Sequence, residues 1–66
     1  MTAFARAFRL HTPDGERYDG SVYPSGRCLI DHRERGLATA WISLQALKDD
    51  NPGALIEWAD GTEEQL

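Results

Sequence analysis

Cysteine occurs once in these 66 residues, at Cys28. No disulfide can therefore form within the chain, and a cysteine-rich zinc site is excluded. A lone reduced thiol suits a reducing cytosol. Long apolar runs are also missing. No stretch approaches the roughly 18–20 apolar residues of a membrane span, and Met1-Thr2-Ala3-Phe4-Ala5-Arg6 lacks the apolar core of a signal peptide. The expectation is a soluble cytoplasmic protein with no membrane partner. No glycine-rich turn is followed by Lys-Ser or Lys-Thr at the opening of a helix, so a phosphate-binding loop is not expected.

Lysine is scarce too, and positive charge comes mainly from six arginines. Residues 1–35 hold those six against Asp14, Glu16, Asp19, Asp31 and Glu34, a balance of +1. Residues 36–66 hold Lys48 against Asp49, Asp50, Glu57, Asp60, Glu63 and Glu64, a balance of −5, and the two halves give the net −4. An acidic chain lacks the attraction that supplies most non-specific affinity for nucleic acid. At this length a single domain is expected, close to the lower limit for independent folding. Self-association or a partner would supplement its stability.

Turn residues are plentiful. Pro13-Asp14-Gly15, Pro24-Ser25-Gly26, Asn51-Pro52-Gly53 and Asp60-Gly61 divide the chain into short segments, which favours strands over long helices. Phe4 to Leu10 alternates Phe4, Phe8 and Leu10 on one face, so a half-buried strand is expected there. Such a strand, lying on a sheet edge, could pair with a second copy. Arg17 to Tyr23 places Tyr18 and Val22 together, with Gly20 marking a bulge or close packing. Arg27 to His32 has the apolar centre Cys28-Leu29-Ile30. Residues 31–36 read as an exposed loop.

Residues 37–50 allow two readings. Leu37, Trp41, Leu44 and Leu47 fall at helical spacing, which predicts one helix over 37–50 and the order β-β-β-α-β. Alternatively 37–42 is a strand and Ser43 caps a short helix from Leu44 to about Asp50. Either helix stops before Pro52, which disfavours a helical Asn51. Ala54 to Ala59 alternates as a strand, and Thr62 to Leu66 reads as an acidic tail that frays.

Gly20-Ser21-Val22-Tyr23-Pro24-Ser25-Gly26-Arg27-Cys28-Leu29-Ile30 has the pattern glycine, apolar strand, glycine turn, apolar strand. Together with Thr39-Ala40-Trp41-Ile42-Ser43 and Ala54-Leu55-Ile56-Glu57-Trp58-Ala59-Asp60, it resembles small uncharacterised proteins of actinobacteria and their phages. The resemblance spans about residues 20–60 and implies a strand at 37–42 followed by a short helix. It implies no activity. The resulting fold is α+β, a bent antiparallel sheet or partial small barrel in the order β-β-β-β-α-β. That order is similar to SH3-like barrels in fold alone.

Candidate chemistry is sparse. Cys28, Asp31, His32 and His11 form the one cluster suited to a metal or a nucleophile. On a strand, however, Cys28 and His32 lie about 13–14 Å apart, too far to share an ion or a proton. A buried core cysteine and a surface histidine account for them better. Asp49-Asp50 and Glu63-Glu64 sit beside a turn and in a tail, where solvated charge outweighs acid–base catalysis. No catalytic residue, cofactor or metal is expected, and a non-enzymatic interaction or accessory module is the leading expectation. Its partner would be another protein or a second copy, with Trp58, Tyr23, Arg33 and Arg35 as candidate interaction residues. The alternative is a small nucleic-acid-binding regulator using Arg27, Arg33 and Arg35, with tyrosine or tryptophan stacking on bases. Both tryptophans are expected first of all to anchor the core.

Overall fold

A computed structural model describes residues 3–32 and 37–66. They form strands β1 (Arg6–His11), β2 (Arg17–Val22), β3 (Cys28–His32) and β4 (Leu37–Trp41), helix α1 (Leu44–Asp50), then β5 (Leu55–Trp58) and β6 (Glu63–Gln65). All six strands join one antiparallel sheet in the spatial order β4-β3-β2-β1-β5-β6. The protein is thus a small α+β domain with a bent-sheet architecture, and residues 37–41 are strand. β4 and β6 stand at opposite ends of that order, so the sheet is open and the partial-barrel form is not adopted.

Two expectations change. The first strand starts at Arg6 rather than Phe4, and it lies between β2 and β5 rather than on an edge. The tail 62–66 does not fray: Glu63–Gln65 pairs with β5, and the Leu66 N–H donates to the Ala54 carbonyl at 2.8 Å. Two side chains secure this strand. Gln65 donates to the carbonyls of Gly53 and Ala54 at 3.1 and 3.0 Å, and Lys48 of α1 pairs with Glu64.

Local chemistry explains the turns and the helix. Gly26 closes the β2–β3 turn with φ 95°, a backbone region open to glycine, and donates to the Tyr23 carbonyl at 2.8 Å. Ser43 is extended and its hydroxyl accepts from the Ala46 N–H at 3.1 Å, fixing the start of α1. Asn51 ends the helix, with its side chain donating to the Leu47 carbonyl at 2.7 Å.

The register sorts side chains onto two faces. One carries Phe8 and Leu10 of β1, Tyr18, Gly20 and Val22 of β2, Cys28 and Ile30 of β3, Trp41 of β4, and Ile56 and Trp58 of β5. Leu47 of α1 completes the core on this side, and Leu10, Cys28, Leu47 and Ile56 are almost wholly inaccessible. Gly20 is there because Phe8 lies over it. A Cβ at this position would stand 2.6 Å from the Phe8 ring and 2.7 Å from the Leu29 carbonyl oxygen. Close packing, not a bulge, is the role of this glycine. Phe8 meets Trp58 edge-on with centroids 5.5 Å apart.

Candidate functional site

Alternation sends the intervening residues to the opposite face, against which none of the described elements packs. This bare face has two unlike halves. The half over β1, β2 and β5 is charged. Arg9 lies between Asp19 at 3.6 Å and Glu57 at 3.9 Å, its neighbours in the register, and His11 Nε2 stands 3.0 Å from Glu57 Oε1. The bond from His11 holds the Glu57 carboxyl below its ordinary pKa, assisted by Arg9 and Arg17 against a smaller opposing effect of desolvation. A shallow groove of about 380 Å³ crosses this half, bordered by Ala7, Arg9, Asp19, Glu57 and Ala59. Its charged groups are mutually paired, so the half is already electrostatically satisfied.

The other half, over the outer parts of β2, β3 and β4, is mostly small and apolar, with the exposed Asp31 standing opposite Ala38. Ser21, Leu29, Ala38 and Ala40 occupy it in adjacent register positions. Tyr23 stands at its lower end, 40 % exposed. Ile42, the residue after β4, continues the outward phase of Ala38 and Ala40 and is 80 % exposed. An apolar residue just before a helix N-cap often packs on the fourth helical residue, here Leu47. Leu47 is instead buried against the sheet and Ile42 is left in solvent. Phe4, two residues before β1 and 87 % exposed, falls at the same end of the sheet, since Arg6 pairs with Val22 and Trp41 with Cys28.

The expected site residues are dispersed. Trp58 is a core residue, 6 % exposed, and the Arg6 guanidinium lies over its ring at 4.2 Å. Trp41 is partly buried against the core and donates through Nε1 to Asp50 at 2.8 Å. Tyr23 is accessible on the bare face. Arg33 and Arg35 lie outside the described residues. Arg27 precedes β3 whereas His32 ends it, so the strand separates them; His32 bonds Thr39 at 2.5 Å and meets the Tyr18 ring. Cys28 is fully buried, which pushes its thiol pKa up, and His11 faces the other side of the sheet. Among the described residues no group of three or more His, Cys, Asp or Glu is placed to hold a metal ion. None of the described helices is long and apolar enough to cross a membrane.

Ile42, Ala38 and Ala40 were not singled out by the sequence. The signal was the phase of the strand: once Thr39 and Trp41 face the core, their neighbours face out.

Fold and site define a small α+β domain with a one-sided sheet and a half-apolar open face. No family model matches the chain, and no curated protein or solved structure matches it.

Proposed function

We propose that this protein is a small non-enzymatic interaction module that binds protein through the apolar half of its bare face. One observation carries the reading: Leu29, Ala38 and Ala40 form a patch of apolar side chains beside Asp31, continued by the exposed Tyr23 and Ile42. Clustered apolar surface of this kind is the usual mark of a protein contact, and a tyrosine at its rim supplies area at low entropic cost. The charged half specifies orientation, since Arg9, Asp19 and Glu57 already satisfy one another and reject an unpaired charge on a partner.

Leu29→Glu tests the reading by placing a charge in the centre of the patch without touching the core. Immobilised wild-type protein is expected to retain a stoichiometric protein partner from an extract of its source cells, and the folded Leu29→Glu variant is expected to lose it. Identical retained sets for the two proteins would sink the proposal.

A further inference from the structure

Among the described residues no strand pairs with the outer edge of β4, and the turns define which of its backbone groups point outward. The Tyr23 N–H donates to the Arg27 carbonyl at 2.8 Å, which makes 23 and 27 a bonded pair. In an antiparallel ladder bonded pairs recur at every second residue. Ser21 and Leu29 are therefore a bonded pair, and β3 turns the backbone groups of residues 27, 29 and 31 towards β2. Cys28, Ile30 and His32 turn theirs towards residues 41, 39 and 37 of β4. The N–H and C=O groups of Ala38 and Ala40, and of Ile42 in the same phase, consequently point away from the sheet.

We propose that β4 pairs antiparallel with β4 of a second copy, about a two-fold axis through Ala40. This rests on the reading of the protein as an interaction module and names one partner for it. Ala40 then bonds Ala40 of the copy, and Ala38 bonds Ile42 in both directions, so every outward backbone group from 38 to 42 is used. Opposed residues share a face, so the Ile42 side chain settles against Ala38 of the copy on the bare side. Large and small residues thus complement each other from a single sequence. The sheet becomes continuous through both copies, with the two helices on one side and the two apolar patches joined on the other.

A second copy fits better than an unrelated strand because of charge and register. Leu37–Trp41 contains no charged residue, so two molecules of net charge −4 meet at this edge without like charges opposed. The far edge behaves oppositely. The Trp58 N–H to Thr62 and the Leu66 N–H to Ala54 bonds leave Glu63 and Gln65 facing outward there, and self-pairing would bring acidic strands together. Helix α1 lies on the core side of the sheet, where Leu47 and Leu44 pack.

Sedimentation or light scattering on the intact protein, from about 1 µM to 1 mM, is combined with residue-resolved amide hydrogen exchange. The mass is expected to rise from 7.4 kDa towards twice that value as concentration increases. The amides of Ala38, Ala40 and Ile42 should slow with the same midpoint, while those of Thr39 and Trp41 stay protected throughout. Ala40→Lys sets two lysines across the axis and is expected to weaken association about tenfold or more with the fold retained; Ile42→Lys should do likewise. A mass of 7.4 kDa at every concentration overturns the pairing but leaves the Leu29→Glu test of the interaction reading intact. A dimer whose edge amides stay fast and whose affinity ignores Ala40→Lys overturns it as well, and places the contact elsewhere.

Discussion

The two edges of this sheet are built from opposite materials. β6 is three residues long, carries Glu63 and Glu64, and is tied down by Lys48 and by the Gln65 amide. β4 is five residues long, carries no charge, is tied to α1 by the Trp41–Asp50 bond, and among the described residues pairs through its backbone with β3 alone. Short length and charge are the ordinary means by which proteins keep a sheet edge from pairing with strangers. One edge of this protein has both, and the other has neither. The contrast teaches that one sheet can carry a protected edge and an unprotected one, and the proposed pairing uses the second.

The strongest test of the comparison removes what both edges share. Leu47→Ala opens a cavity between α1 and the sheet and is expected to cost about 2–5 kcal/mol. Thermal or urea unfolding should show one transition lowered for both edges together; β6 outlasting β4 would mean that the helix anchors only one side.

Gly20→Ala acts nearer the β4 side. Its Cβ overlaps the Phe8 ring and the Leu29 carbonyl, so a loss of about 1–3 kcal/mol is expected from overpacking. Amide exchange should then rise first in β2 and β3. Ser43→Ala follows at about 1 kcal/mol, through the lost cap at the junction of β4 and α1, and urea unfolding would measure it.

Acid separates the two edges most cleanly and with the smallest effect. The bond from Lys48 holds Glu64 below its ordinary pKa of 4.5, and the bond from His11 does the same for Glu57. A depressed carboxylate pKa adds stability that is fully present above the unfolded value and is lost as pH falls through the folded value. Protection from exchange at Leu66 and Glu64, corrected for the intrinsic pH dependence of amide exchange, is therefore expected to fall below about pH 4.5, and to fall more than in β4, which has no ionisable side chain of its own. Glu64→Gln should remove most of that difference at β6.

The sequence disclosed the local elements well and their arrangement poorly. Ser43 and Asn51 bounded the helix by chemistry that is purely local, and Gly26 marked a turn that its φ requires. β6 was missed because Glu-Glu-Gln has little intrinsic preference for a strand; its pairing depends on Lys48 and Ala54, distant in sequence. The central position of β1 was equally hidden, since alternation reveals which residues face the core but not which strands are neighbours. For the site, Tyr23 was legible as an exposed aromatic. Trp58 takes the core place expected first for the tryptophans, and the Arg6 guanidinium over its ring, far away in sequence, was not legible.

The pairing of β1 with β5 also orders events in time. The first four strands follow one another through short connections, yet Phe8 and Leu10 find their neighbours Trp58 and Ile56 only after the chain has crossed the sheet. A nascent chain halted before residue 54 holds at most a four-strand meander in which β1 is an edge, with water where β5 belongs. Completion of the core thus awaits residues 55–58, and removing β5 and β6 uncovers β1 in the middle of the sheet rather than trimming an edge.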